Sequence, residues 1–175
     1  MHTKISSTAK LTVSGLCLAL CLILPFFTGQ IKEIGNALCP MHLPVFLCGF
    51  ICGWPWGAAV GFVAPILRSS LFHMPMMFPN AVSMAFELAT YGFVAGYLYS
   101  KLEKNIKSIY ISLIASMILG RVVWGAVRWL IAMLFNVNFT FELFIAGALL
   151  TAIPGIVVQL LLIPPVVSAV TKEKK

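Results

Sequence analysis

Long apolar runs, separated by short polar stretches, occupy most of the 175-residue chain. Six runs stand out, at about Thr8–Phe27, Met41–Gly53, Trp56–Phe72, Pro79–Tyr99, Ser108–Phe135 and Leu143–Val170. The apolar positions are continuous and do not alternate with polar ones, so they predict helices and not the strands of a barrel. A helix needs roughly 20 apolar residues to cross the hydrocarbon core of a bilayer. The pattern therefore predicts an all-α integral membrane protein, one domain over residues 1–175, built as a bundle of six transmembrane helices.

The second and third runs are short for spanning helices. A helix over Met41–Gly53 would rise only about 20 Å, so the two runs predict either thin, tilted spans or a re-entrant hairpin. Glycines recur every four residues through this region, at Gly49, Gly53, Gly57 and Gly61. That spacing is typical of helices whose backbones approach closely, and the "GWPWG" between the two runs predicts a tight turn.

Composition agrees with a membrane location. The chain is 61% hydrophobic and 10% charged, with a mean hydropathy of +1.01. Soluble domains have about 45–50% apolar and about 25% charged residues, so this chain could not cover itself in water. The net charge of +7 does not indicate a nucleic-acid partner, because the positive residues lie between and beyond the apolar runs and form no basic face.

The placement of the basic residues predicts the orientation. With six spans, one side of the membrane carries most of the lysines: Lys4, Lys10, Lys101, Lys104, Lys107, Lys172, Lys174 and Lys175. The loops of the opposite side carry Lys32 and Arg68. The positive-inside rule then predicts that both termini are cytoplasmic.

The five cysteines do not predict a disulfide or a zinc site. Four of them form two C-x3-C pairs within apolar runs, Cys17 with Cys21 and Cys48 with Cys52, which is typical of small buried residues. The external loops combine soft ligands: Cys39, Met41 and His42 in one, and His73, Met74, Met76 and Met77 in the other. Their spacing matches no standard ligand set, so we expect no metal site there.

Two of the three arginines lie inside the fifth apolar run, in "GRVVWGAVRW". Arg121, Trp124 and Arg128 fall at i, i+3 and i+7, so they share one helix face. An arginine at the centre of a bilayer costs at least a few kcal/mol, about 2.5–3.5 by insertion scales, so this face must meet other helices or a wet cavity.

The fourth run places Asn80, Glu87 and Tyr91 on one face, with Glu87 at a depth comparable to that of Arg128. One interpretation is an ion pair between Glu87 and an arginine; the spacing does not say which arginine. The other arginine, with Trp124 and the polar Gln159 of the sixth run, would then line an outward-facing pocket. A guanidinium binds carboxylate or phosphate in bidentate fashion, and tryptophan stacks on a flat ring. These seven residues, Asn80, Glu87, Tyr91, Arg121, Trp124, Arg128 and Gln159, are the predicted substrate-binding set.

The first run carries small side chains on one face of its cytoplasmic half, at Thr8, Thr12, Gly15 and Ala19. Such a stripe lets another helix dock closely, either a helix of this chain or one of a partner. No catalytic motif accompanies it: the chain has no Walker A sequence, no G-x-S-x-G and no H-E-x-x-H. We therefore expect no enzyme activity and no bound cofactor, and any uphill transport must take its energy from another protein.

Several stretches resemble a known family. "GNALCPMHLPVFLCGFICGWPWGAAVGFVAPILRSSLF" is similar to the second and third spans of substrate-binding S components of energy-coupling-factor (ECF) transporters. "MAFELATYGFVAGYLYSKL" and "ILGRVVWGAVRWL" resemble their fourth and fifth spans. The similarity covers about Asn36–Leu130, whereas the first and last spans match only in general character.

The resemblance implies a six-helix protein of the bacterial plasma membrane that captures a vitamin or similar micronutrient at the outer face. It implies as partners a transmembrane coupling protein and two ATPase subunits, which use the ATP. In the family an A-x-x-x-A pattern on the first helix contacts the coupling protein, and the matching positions here are Gly15 and Ala19. With Thr12 they form the predicted docking surface.

The ligand stays open among several classes. Two arginines and one glutamate favour an anionic ligand such as pantothenate or a folate, and Arg128→Ala or Glu87→Ala should weaken its binding while the fold stays intact. Thiamine, pyridoxine or a queuosine precursor remain alternatives, because Glu87 could bind a cationic ring nitrogen. Two further hypotheses are a nickel or cobalt S component, suggested by the initial Met1-His2, and a membrane scaffold without a transport role.

Overall fold

The computed structural model describes residues 6–27, 39–135, 140, 144 and 153–172, and within these ranges the chain is helical with no strand. Six α-helices have both of their ends within the described ranges: α1 Ser7–Phe27, α2 His42–Cys52, α3 Trp54–Phe72, α4 Val82–Lys101, α5 Ile106–Phe135 and α6 Ile153–Lys172. A π-helical turn, Met77–Ala81, leads directly into α4. The predicted all-α class is confirmed, and the predicted runs are mostly helical wherever the structure describes them, although α3 begins at Trp54 and not at Trp56. Most of residues 143–152 lie outside the described part.

Four of these helices are long and apolar enough to cross a bilayer. They are α1, α4 together with the π-helical turn before it, α5 and α6. This supports a multi-pass membrane protein. Helix α2 has 11 residues, a length of about 16 Å, which is too short for an upright span. Whether α2 and α3 both cross the membrane stays a prediction.

Helix α2 lies at the centre of the bundle. It packs against α1, α3, α4 and α6. Val45, Phe46 and Cys48 have no exposed surface at all. The cysteines Cys17, Cys21, Cys48 and Cys52 are buried in the same core as free thiols, as their apolar surroundings predicted. The short central helix thus serves as the core around which the longer helices assemble.

The break between α2 and α3 is a single residue. Gly53 has a φ of 98°, a left-handed conformation that glycine adopts without steric cost. Helix α3 begins at once with Trp54, and Pro55 lies in its first turn, where a missing N–H leaves no hydrogen bond unmade. The five-residue turn predicted for "GWPWG" is therefore shorter than expected, because Pro55 starts a helix here.

Glycines bring α2, α3 and α4 into backbone contact. A Cβ added at Gly49 would lie 2.6 Å from the carbonyl oxygen of Gly92, and one added at Gly57 would lie 2.6 Å from Gly49 Cα. Gly61 faces the backbone of Leu88 equally closely. The close approach predicted from the four-residue glycine spacing is confirmed at these positions, and it fixes α3 antiparallel to α4.

Neighbouring helices alternate in direction. Cys21 Sγ contacts the carbonyl of Met41 at 3.4 Å, and Cys52 Sγ contacts that of Lys10 at 3.7 Å, so α1 and α2 are antiparallel. The last turn of α4, the first turn of α5 and the last turn of α6 surround one cavity. The end of the bundle where α1 begins and α6 ends, which also holds Lys101, Lys104 and Lys107, is called the lysine end below.

The sequence predicted Arg68 among the charges of an external loop, and the structure shows that this was wrong. Arg68 lies within α3 and is 3% exposed. Its guanidinium donates a hydrogen bond to the carbonyl of Leu22 and lies 5.0 Å and 5.3 Å from the ring centroids of Phe26 and Phe72. Arg68 therefore links α3 to the end of α1 that contains Pro25. It is not one of the solvated loop charges that the positive-inside rule considers.

Candidate functional site

A buried carboxylate lies on α4. Glu87 is 2% exposed, and Tyr91, one helical turn further along the same face, is also 2% exposed. The Tyr91 hydroxyl donates a hydrogen bond to Glu87 Oε1 over 2.7 Å. Phe46 of α2 stacks on the Tyr91 ring with 4.9 Å between centroids, and Gly120 of α5 leaves the space that this ring fills. The tyrosine is thus held in place from two neighbouring helices.

Arg121 is the ionic partner of Glu87. Its Nη1 lies 3.0 Å from Glu87 Oε1, and its side chain is 17% exposed. The structure therefore answers the question that helical spacing left open, namely which arginine pairs with the glutamate. The Arg121 guanidinium also lies close to the thiol of Cys39, in the segment before α2. Burial raises the pKa of this thiol to about 11, so Cys39 is a neutral thiol at physiological pH.

His42 completes this cluster, which consists of His42, Glu87, Tyr91 and Arg121. It is the first residue of α2 and 4% exposed, with its ring centroid 5.3 Å from that of Tyr91. Its Nε2 lies 3.8 Å from Glu87 Oε1, beyond hydrogen-bonding distance. Among the described residues neither ring nitrogen of His42 has a hydrogen-bond partner.

His42 was missed as a site residue by sequence reasoning. It was grouped with the soft-metal candidates of an external loop, because it stands at the very start of the second apolar run, beside Cys39 and Met41. The signal that could have found it is the "MHLP" at the start of a short central helix, which brings a titratable ring to the level of Glu87. Within the described part of the chain, no group of three His, Cys, Asp or Glu residues is arranged to hold a metal ion.

A second group of polar and aromatic residues lies two turns further along α5. Arg128 Nη1 donates to Asn80 Oδ1 over 2.8 Å, and the guanidinium lies 5.9 Å from the Trp124 ring centroid. The Trp124 ring is stacked with Phe144 at 6.1 Å. Since α4 and α5 are antiparallel, these residues continue the face that carries Glu87 and Arg121.

Gln159, the last predicted binding residue, stands apart. It is buried on α6, with 3% of its surface exposed. Within the described ranges, no hydrogen bond joins it to the Glu87 cluster. The structure thus pairs Glu87 with Tyr91 and Arg121, and Asn80 of the π-helical turn with Arg128, which lies near Trp124. Gln159 lies on a different helix.

The predicted docking residues lie on the outside of the bundle. Thr8, Thr12, Gly15 and Ala19 are all exposed along α1. A Cβ added at Gly15 would find no atom within 4 Å. Among the described residues this stripe therefore packs against no other helix of the chain, and a glycine there is not needed for internal packing.

Apolar helices long enough to cross a bilayer, packed around a buried ion pair, are typical of a multi-pass membrane protein. The family model of the ECF transporter substrate-specific component matches residues 9–167, so the chain belongs to this family. Its members are components of a transporter and not enzymes. Comparison with curated proteins and with solved structures gave no match.

Proposed function

We propose that this protein is the substrate-binding subunit of an ECF-type importer of the bacterial plasma membrane, and that it binds a small vitamin-like ligand at the Glu87 cluster. The observation that carries the proposal is His42. Buried polar atoms are almost always hydrogen-bonded, and both ring nitrogens of this 4%-exposed histidine lack a partner among the described residues. A ligand that donates to one nitrogen or accepts from it would satisfy the ring.

The ion pair beside His42 suits a binding site better than a purely structural role. Burying two charges gains little over an apolar pair of similar volume, so stability alone gives a weak reason to keep Glu87 and Arg121 inside apolar helices. Charged residues within membrane helices mark ligand and ion pathways. The hydrogen-bonding groups of the Glu87 cluster are already buried and held in place in the folded protein. A ligand that contacts them would therefore not have to displace much water from these groups.

The side chains favour an anionic ligand with a flat or extended body. Arg121 and Arg128 present planar guanidinium groups, which match carboxylates and phosphates, and Asn80 adds an amide beside Arg128. The stacked rings of Trp124 and Phe144 offer an apolar surface next to these donors. Pantothenate or a folate fits this set; pyridoxine, thiamine and a queuosine precursor are the alternatives that would use Glu87 as acceptor for a cationic nitrogen.

Transport needs partners, because the chain carries no nucleotide-binding motif. We propose that the outward-facing stripe Thr12, Gly15 and Ala19 docks a transmembrane coupling protein, which joins this subunit to two ATPases. Lysines concentrated at one end of the bundle support an orientation with both termini cytoplasmic. The Glu87 cluster then lies toward the outer half of the membrane.

Thermal unfolding of the detergent-purified protein, with a panel of candidate ligands, tests the proposal. A ligand that binds the folded state raises the midpoint temperature, and a concentration of 100 times Kd contributes about 2.7 kcal/mol. We expect pantothenate or a folate to stabilise the wild type and to have a much smaller effect on the Arg128→Gln variant. Stabilisation by thiamine alone would contradict the anionic preference, and no response to any member of the panel would contradict the vitamin class.

A further inference from the structure

A cavity of about 310 Å³ opens at the lysine end of the bundle, far along α4 and α5 from the Glu87 cluster. The end of α4, the start of α5 and the end of α6 surround it, and it is lined by Tyr99, Lys104, Asn105, Ile106, Ile109, Ser168 and Thr171. It therefore combines one ammonium group, an amide and three hydroxyl groups with two isoleucines. None of these residues belongs to the substrate site.

Lys104 is the charged group of this cavity. Its Nζ donates to the carbonyl of Tyr99 over 3.1 Å and lies 3.9 Å from the centroid of the Tyr99 ring. An ammonium group has three N–H donors, and the carbonyl accepts one of them. Partial burial lowers the pKa of Lys104, and a nearby anion would offset this cost.

Apolar side chains lie immediately beside the charged group. Ile106 lines the cavity and is 53% exposed, and Tyr110, one turn along the same face of α5, is 38% exposed. Together they form an exposed strip that leads from the cavity along the membrane-spanning part of α5. A molecule with an anionic head and an apolar tail matches this arrangement, whereas a free inorganic anion would leave the strip unused.

We propose that the cavity at the lysine end binds the phosphate group of an anionic membrane lipid, with Lys104 as its cationic contact and Ile106 and Tyr110 beside its acyl chain. Clusters of basic residues at the membrane surface attract anionic lipids, and a cavity between helices adds a defined site to that general attraction. A lipid held there would join α4, α5 and α6 at their common end.

Native mass spectrometry of the detergent-purified chain tests this site. The protein is incubated with phosphatidylglycerol or with phosphatidylcholine, and the lipid-bound fraction is measured for the wild type and two variants. We expect the wild type and Lys107→Gln to retain phosphatidylglycerol equally, and Lys104→Gln to retain it about fivefold less, the factor expected for one lysine near an anionic headgroup. Lys107 is exposed in the first turn of α5 and does not line the cavity, so it controls for general surface charge.

A third variant separates lipid binding from the contact of Lys104 with the end of α4. Ser168→Phe fills the cavity from α6 and leaves Lys104 with Tyr99, so we expect it to lose phosphatidylglycerol as well. Equal losses in Lys104→Gln and Lys107→Gln, or full retention in Ser168→Phe, would overturn the proposal. Displacement of the lipid by millimolar inorganic phosphate would also overturn it, since it would show a site for the free anion.

Discussion

At the scale of single residues, the ion pair between Glu87 and Arg121 is the main electrostatic interaction of the Glu87 cluster. Glu87 is 2% exposed, and its Oε1 accepts from both Tyr91 and Arg121. Removing one member of such a pair leaves the other charge buried, which costs more than the pair itself contributes. The two arginines of α5 should therefore respond differently to substitution, although they lie on one helix face.

We predict that Arg121→Gln lowers the stability of the fold by about 3–5 kcal/mol, because it leaves Glu87 buried without its ionic partner. Arg128→Gln removes a donor to Asn80 and should change stability far less, while weakening ligand binding by about tenfold or more. Thermal unfolding and ligand titration in detergent measure the two effects. Equal destabilisation by both substitutions would contradict the assigned pairing.

The same reasoning changes one expectation from the sequence. Glu87→Ala was expected to weaken binding with the fold intact, yet the structure gives Glu87 an ionic and a tyrosine partner that this variant would leave unpaired. Helical spacing could place Glu87, Arg121 and Arg128 on facing helix surfaces. It could not choose the pair, because that depends on the rotation and depth of α4 relative to α5.

At the scale of elements, glycines determine how α2, α3 and α4 fit together. Spacing along the chain was enough to predict the close contact, since Gly49 and Gly57 recur at helical intervals. The partner surface on α4, with Gly92 and Gly96, could not be read from that spacing, because it belongs to a helix distant in sequence. The start of α3 at Trp54 was missed for a local reason: Pro55 reads as a helix breaker, although proline is favoured in a first turn.

We predict that Gly57→Ala lowers stability by about 3 kcal/mol, the upper end for overpacking, because the added methyl group would meet the backbones of α2 and α4. The matched control is Gly15→Ala, where the same change meets no atom within 4 Å. Thermal unfolding of the two variants side by side measures the difference. Similar midpoints for both would show that the helices do not approach through Gly57.

At the scale of the whole molecule, the bundle separates two surfaces. The face of α1 with Thr12, Gly15 and Ala19 points away from the other described helices, whereas the Glu87 cluster is enclosed between α2, α4 and α5. The sequence predicted the small-residue stripe but left open whether it packs inside the chain. Its exposure follows from the way α1 turns its cysteine face toward α2.

We predict that Gly15→Trp abolishes ligand uptake in cells that contain the full transporter but leaves ligand binding by the isolated subunit unchanged. A large side chain on this face would prevent close docking of a partner helix. Ile118→Trp, on the exposed face of α5, is the control and should support uptake. Normal uptake by Gly15→Trp would exclude this face as the docking surface.

The central claim is that a small molecule completes the hydrogen bonds of His42 beside Glu87. Native mass spectrometry of gently purified protein tests it most directly, by comparing the wild type with His42→Leu and with His73→Leu, which changes an exposed histidine. We predict that the wild type and His73→Leu retain the same small molecule and that His42→Leu, although folded, has lost it. Retention of the same molecule by His42→Leu at the wild-type level would contradict the account.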